Sequence, residues 1–433
     1  MIKQTQTVTI MLLLLAAYVC ALSLWPPYAD LRLSQSISLN PSRVILAILI
    51  SCFFVSLAQS QSYRTRAFQA FRRHKFLIWL ITLYCAIRIL SGLIYGARPT
   101  FLALHEVAST MLLMIVAMAS VRHLRDTRII FFCMVACLLI VGIYAVLEYC
   151  VGGNFLVQLA DPTTKMGSTA IFDKTRDGTY RAQSVFEHPL SLAQFLVIIA
   201  PIAYIFFRNK TWFLLASLSI AVAVVAAVLT GTRTALTAPM LAAAILGCIS
   251  MYGRYKEGRL RIIHVLAIAA LLGLVLLWVP RMILGTTGQQ SGSTSTRIAQ
   301  IHNALLAAKD RPLIGYGPGN AASVVVTVGE TEADSALMYG GSLDNLFLTK
   351  MVESGIPSVM LFILIMGYVF GSSARQFLCA PDLKTKRMAA AIVLSVVSGI
   401  ASMAILSIFT VLPLFFVVMG IGLARPASPN AIR

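Results

Sequence analysis

Residues 296–310 read TRIAQIHNALLAAKD, residues 311–320 read RPLIGYGPGN, and residues 342–357 read SLDNLFLTKMVESGIP. The first is an amphipathic segment, the second a glycine–proline turn, and the third re-enters an apolar run that continues past residue 357. Such a sequence places a cation (Arg297), a tight turn and a carboxylate (Asp344) together at one boundary of a bilayer. Polar groups are expensive there unless they do chemistry or find partners, so the stretch reads as machinery for a charged substrate.

The rest of the chain makes that boundary a membrane one. Of its 433 residues 58% are hydrophobic and 12% charged, and the mean hydropathy is +0.84. A soluble domain carries about 25% charged residues. The apolar residues come in about twelve blocks of spanning length. They lie near 8–24, 43–58, 76–95, 101–120, 129–150, 190–207, 212–229, 234–251, 262–279, 344–370, 387–409 and 411–423, with the last two split by a turn at Thr410. Lys3 precedes the first block, but no small-residue cleavage site stands before Trp25-Pro26-Pro27, so the block is expected to be a retained span. The fold class is thus an all-α polytopic membrane protein. The whole of 1–433 is expected to form a single membrane domain, with spans over about 8–279 and 344–423.

The net charge of +19 does not point to nucleic acid, because the cations alternate between loops as topology signals. Arg64, Arg66, Arg72, Arg73 and Lys75 fill one loop, and Arg122, Arg125 and Arg128 the next on that side. Then come Arg208 and Lys210, then Arg254, Lys256, Arg259 and Arg261, then Arg375, Lys384, Lys386 and Arg387. Twelve spans put all five groups and both termini in the cytoplasm. The long connections at about 151–189 and 280–343 then face outward, into the periplasm of a Gram-negative cell. In the second, GTTGQQSGSTSTR (285–297) reads as flexible, Ser295 or Thr296 as a helix cap, and Ile298, Ile301, Leu305 and Leu306 as the stripe of a surface helix. The eight cysteines form no CxxC pair. Cys133 and Cys137 share a helix face and read as packing, with neither a disulfide framework nor a metal site.

Arginine on the outer side runs against the positive-inside bias. Arg181 in TYRAQSVFEHPLSLAQF (179–195), Arg233 in LTGTRTAL (229–236) and Arg297 therefore call for a reason. A guanidinium grips phosphate oxygens bidentately, so three converging arginines would clamp a pyrophosphate; one alone can simply snorkel to lipid headgroups. Within spans, Arg88 with Glu106 of the His105-Glu106 pair reads as a buried ion pair, and Lys350 with Glu353 as an i, i+3 pair that could also flank the pyrophosphate. Glu148 is a further intramembrane ionisable group.

GTRTAL (231–236), the RPLIGYGPGN block and DNLFLTKMVESGIPSVMLFIL (344–364), preceded by FEHPLSLAQFLVIIAPIAY (186–204), resemble the O-antigen ligase/polymerase superfamily of bacterial membrane glycosyltransferases. The resemblance covers residues 180–370. It implies a helical bundle of the GT-C type in the inner membrane, with its active site on the periplasmic face and a large outer loop containing a surface helix. It further implies a glycan donor on undecaprenyl pyrophosphate, a glycan or lipid A-core acceptor, a chain-length regulator and membrane lipids as partners, and metal-independent transfer without a cofactor. The family arginines correspond to Arg233 and Arg297, and then Arg181; Arg311, Asn345 and Lys350 fall in the same motifs as substrate contacts. One departure stands out. Family ligases carry His-Asn where this chain has Asp344-Asn345. An aspartate can take the proton of an attacking hydroxyl, which favours a repeat-unit polymerase over a ligase. Glu187 and His188 are alternative bases. On this reading Arg233 and Arg297 offset the charge of the departing pyrophosphate, and Asp344 activates the acceptor for an inverting attack. A lipid-linked sugar flippase is the competing class. It predicts repeat symmetry and polar residues spread through the midplane, whereas these cluster at one face.

Overall fold

The computed structural model describes residues 2–32, 38–172, 174–175, 178–208, 210–257, 289–328, 343–406 and 409–424. The protein is a polytopic bundle of helices. Among the described residues nine helices are long and apolar enough to cross a membrane, and Thr9–Leu24 and Leu412–Leu423 are shorter apolar helices. The expected span at 262–279 lies outside the described residues, as do Arg259 and Arg261.

In chain order, α1 is Ile2–Leu24, α2 Pro41–Gln59, α3 Gln61–Arg73 and α4 Lys75–Tyr95. The fifth helix, α5, runs Ala97–Ser120 with a π-turn at Ala108–Leu112. Next come α6 (Leu124–Val151), α7 (Lys165–Ile171), α8 (Pro189–Ile199, drawn on as a 3-10 stretch Ala200–Arg208), α9 (Lys210–Leu229) and α10 (Thr234–Lys256). The remainder are α11 (Gln289–Asp310), α12 (Ala321–Thr327), α13 (Leu346–Cys379), α14 (Leu383–Met403) and α15 (Leu412–Leu423). Two two-residue strands, β1 (Leu31–Arg32) and β2 (Ser38–Leu39), pair antiparallel in the first connection.

Helix starts follow their sequences. Asn40 caps α2 ahead of Pro41, Asp382 caps α14, and His188 caps α8 ahead of Pro189. The first basic loop folds as a helix of its own, α3, capped by Ser60. Every residue of α15 is buried. Twelve residues rise only about 18 Å, yet α15 links the two ends of the bundle, with Thr410 just before it bonded to Glu187 at one and Leu423 bonded to His74 at the other, and α5, α13 and α14 enclose it. Helix α4 shows the opposite pattern on one side: Trp79, Leu83 and Leu90 point outward while Tyr84, Arg88 and Ser91 point in.

One expectation changes. Helix α11 begins at Gln289, so the Gly/Ser/Thr-rich stretch is helical from there and neither Ser295 nor Thr296 is its cap. Propensity is a weak prior that packing overrides: α11 docks on α12 and α13, with Ala304 and Ala307 buried against Val325, Leu343 and Val352. Ile298, Ile301 and Leu305 remain on its exposed side. Glu148 has a structural role. Its carboxylate accepts from the backbone N–H of Gln183 (3.0 Å) and Ser184 (2.6 Å) and from the Tyr180 hydroxyl (2.7 Å), so it anchors the connection leading to α8.

Contacts between distant residues fix two ends of the bundle. At one, His74 meets the Tyr368 hydroxyl at 3.0 Å and the Leu423 carbonyl at 3.2 Å. At the other, Tyr95 meets Gly315, and Asn345 meets Ala404. The first holds the basic turns; the second holds the long connections.

Candidate active site

At the loop end, Asn345 opens α13. Its Oδ1 accepts from the N–H groups of Phe347 (2.9 Å) and Leu348 (3.1 Å), and its Nδ2 donates to the Ala404 carbonyl at 2.8 Å. The cap fixes Asp344 just outside the helix. The Asp344 N–H donates to Gln300 Oε1 at 3.1 Å, and Gln300 stands one turn beyond Arg297 on α11. Arg297 Nε lies 3.9 Å from Asp344 Oδ2, with the two side chains 40% and 33% exposed. That separation is an ion pair without a hydrogen bond. Arg297 Nε is itself buried with no hydrogen-bond acceptor, so a donor is held ready beside a carboxylate. Arg297 sits within α11 rather than at its head.

The RPLIGYGPGN segment is strapped across a break in α13. Pro357 has no N–H, so the Glu353 carbonyl loses its partner four residues on. The chain departs from helical geometry at Ser354 (φ −139°, ψ 18°) and Gly355 (φ 79°, ψ 174°). The orphaned groups are then satisfied by the strap. Tyr316 N–H donates to Val352 O and Gly317 N–H to Glu353 O, both at 2.9 Å, while Ile356 N–H donates to Pro312 O at 2.7 Å. The Ser91 hydroxyl bonds the carbonyls of Ile314 and Glu353 at 2.9 Å each, and the Tyr95 hydroxyl bonds Gly315 O at 2.6 Å. Gly315 and Gly355 cross where no side chain fits: a Cβ on Gly315 would lie 2.6 Å from the Glu353 carbonyl carbon, and one on Gly355 2.6 Å from Pro312 O. Both have φ in the left-handed region. Arg311 lies over the Tyr316 ring and donates to the Tyr95 hydroxyl at 2.6 Å; it holds the strap from its exposed side.

Beneath the strap lies a quartet of charges, Arg88, Glu106, Lys350 and Glu353. Arg88 is 1% exposed and Lys350 0%. Arg88 pairs with Glu106, and with Glu353 at 2.9 Å; Lys350 Nζ lies 2.6 Å from Glu106 and 3.9 Å from Glu353. Two cations and two carboxylates cancel, the condition for burying any of them. Tyr84 donates to Glu106 at 2.7 Å, and Arg88 to the Ser354 hydroxyl at 2.7 Å. The two pairs read separately from the sequence are therefore one network. Lys350 is within it, its ammonium also 4.8 Å over the Phe409 ring.

The remaining candidates line the connection beside it. Arg181 donates from Nε to Thr230 O (2.7 Å) and from Nη2 to Thr232 Oγ1 (3.1 Å), clasping the turn that presents Arg233, which is partly buried. His188 Nδ1 accepts from Leu190 N–H at 3.1 Å. Burial, then the charges of Lys174 and Arg181, push its pKa down from 6.5 to about 3, so it stays neutral. Glu187 Oε1 accepts from the hydroxyls of Ser191 and Thr410, each at 2.7 Å, and its Oε2 is buried without a hydrogen-bond partner. The structure thus joins Arg297 to Asp344, and Arg181 to the Arg233 turn, as two groups at one end of the bundle. Asn345 serves the backbone around it, and Arg311 the tyrosine side chains that hold the strap. Gln300 and Thr410 belong to the site but were not singled out from sequence; the i, i+3 spacing of Gln300 from Arg297 is the signal that could have found the first.

Residues 218–363 match a family model described as O-Antigen ligase. The match takes in Arg233, Arg297, the strap, Asp344 and the break in α13, and leaves Arg181, Glu187 and His188 outside it. No curated protein matches the chain.

Proposed function

We propose that this membrane protein is a glycosyltransferase that moves a glycan from undecaprenyl pyrophosphate to a sugar hydroxyl, polymerising repeat units of an O-antigen or exopolysaccharide. The observation that carries the reading is the Arg297–Asp344 pair: a buried, unsatisfied guanidinium nitrogen within 3.9 Å of a carboxylate. Arg297, with Arg233 on its own turn, would hold the leaving pyrophosphate. The opposite charge of two phosphates grows as the glycosidic bond breaks, which is where fixed cations lower the barrier. Asp344 would take the acceptor proton as the hydroxyl oxygen attacks the anomeric carbon from the face opposite the pyrophosphate, inverting its configuration. The step needs no metal, because the arginines supply the charge. The basic turns would lie in the cytoplasm and the site on the periplasmic face of the inner membrane, with both termini cytoplasmic and a chain-length regulator alongside.

A second reading is ligation of the finished glycan to lipid A-core, favoured by the description of the family matched at 218–363. Surface polysaccharide from a deletion strain separates the two. Lipid A-core bearing a single repeat marks a polymerase. Long undecaprenyl-linked chains that never reach lipid A-core mark a ligase. Single lipid-linked repeats trapped on the inner face would mean a flippase and overturn both.

A further inference from the structure

At the opposite end of the bundle, a crevice of about 580 Å³ opens between the starts of α6, α9 and α14 and the 3-10 end of α8. Four cations line it, Arg125, Arg128, Lys384 and Arg387, and no carboxylate does. The two nearby acids are spent on backbone: Asp126 accepts from the N–H groups of Arg122 (2.9 Å) and His123 (3.0 Å), and Asp382 from that of Thr385 (2.9 Å). Arg387 has a buried Nη1 with no hydrogen-bond partner. Apart from Thr127 the rest of the wall is apolar, led by Trp212 packed edge-on against Phe132 at 4.9 Å.

Alternating basic turns require cations at this end, but not in a concave, acid-free cluster around an apolar floor. Four like charges repel unless something anionic sits among them. We propose that this crevice binds the phosphate headgroup of an anionic phospholipid, with an acyl chain along the Trp212–Phe132 wall. Charge decides the occupant. A zwitterionic headgroup brings its own cation into the cluster, whereas a two-phosphate lipid such as cardiolipin offsets part of the charge without one. The apolar wall favours a ligand that carries an acyl chain over a purely aqueous anion. The site is separate from the Arg297–Asp344 end and does not rest on the glycosyl-transfer reading.

The full-length protein is placed in nanodiscs of phosphatidylcholine, with and without cardiolipin, and its melting midpoint and retained lipid are followed by thermal scan and native mass spectrometry. Cardiolipin should raise the midpoint and remain bound. In Arg128→Gln/Arg387→Gln, binding should weaken roughly thirtyfold, from two lost charges, and the midpoint gain should vanish. Equal gain in both proteins overturns the proposal. Should that pair fail to fold, Arg125→Gln/Lys384→Gln, both on exposed positions, must show the loss, while Arg128→Lys/Arg387→Lys must retain binding. Inorganic pyrophosphate in detergent is the headgroup-only probe. An equal gain from it, at the same concentration, that Arg128→Gln/Arg387→Gln abolishes overturns the lipid assignment in favour of free phosphate; a gain that this pair leaves intact arises at the Arg297 end and not in the crevice.

Discussion

The carboxylate of Glu353 and the backbone N–H of Gly319 meet at 2.8 Å, while the other carboxylate oxygen of Glu353 holds Arg88 at 2.9 Å. One side chain thereby joins the strap above it to the buried charges below. The glycine–proline segment and the charge network are a single device, seated at the break in α13.

Removing the charge of Glu353 while keeping its shape separates these two duties. Glu353→Gln can still accept from Gly319 but leaves the quartet with an excess cation. A buried charge stripped of its partner costs about 3–5 kcal/mol, so the melting midpoint in detergent should fall sharply. The pair Lys350→Met/Glu106→Gln, which removes one charge of each sign, should cost less than either change alone. Additive losses in a double-mutant cycle would refute the network.

Gly355→Ala should be far worse than its size implies, because its Cβ meets the Pro312 carbonyl and its φ is 79°. Gly367, in the same helix with open space around it, is the control. Alanine there should be neutral or gain up to about 1 kcal/mol from helix propensity. Equal behaviour at the two positions would mean that the strap does not cross α13 as described.

Arg297→Ala and Arg233→Ala should each lower the rate of polysaccharide assembly roughly a hundredfold or more at unchanged protein level. Asp344→Asn should do likewise with donor binding retained, since in the proposed mechanism it removes a base and not a clamp. Full activity in Asp344→Asn would move the base to Glu187, whose free carboxylate oxygen is the next candidate.

His188 gives the protein a signature in pH. Its folded-state pKa of about 3 lies below the ordinary 6.5, so between those values the unfolded chain binds a proton that the folded chain does not. Stability is full above pH 6.5 and is lost as the pH falls toward 3. His188→Asn keeps a good helix cap without the titration, so its melting midpoint should fall less between pH 7 and pH 4 than that of the parent. Parallel curves would contradict the assignment.

The spans were legible because hydropathy and cation alternation are written in single segments. Arg88, Glu106, Lys350 and Glu353 were each visible as ionisable groups inside apolar runs, but their union was not, since it depends on how α4, α5 and α13 pack. The partners of Glu148 were hidden for the same reason: they are backbone N–H groups thirty-five and thirty-six residues away, which no side-chain pattern reveals. The start of α11 was hidden by a composition that reads as loop. The GPG turn was plain, whereas its seat against Pro357 follows only once Glu353 is known to lack an in-helix partner.

The break at Ser354–Gly355 has a mechanical consequence. Residues 356–379 alone rise about 36 Å, a few ångströms more than a typical hydrocarbon core, and such a segment tilts to match its bilayer. A continuous α13 would swing its first residue with that tilt. Here the ladder is interrupted, and residues 346–353 are moored to α4, α5 and the strap instead. Asp344 is therefore insulated from hydrophobic mismatch. The protein can sit in membranes of different thickness, or ride out local thinning, without losing its reach to Arg297.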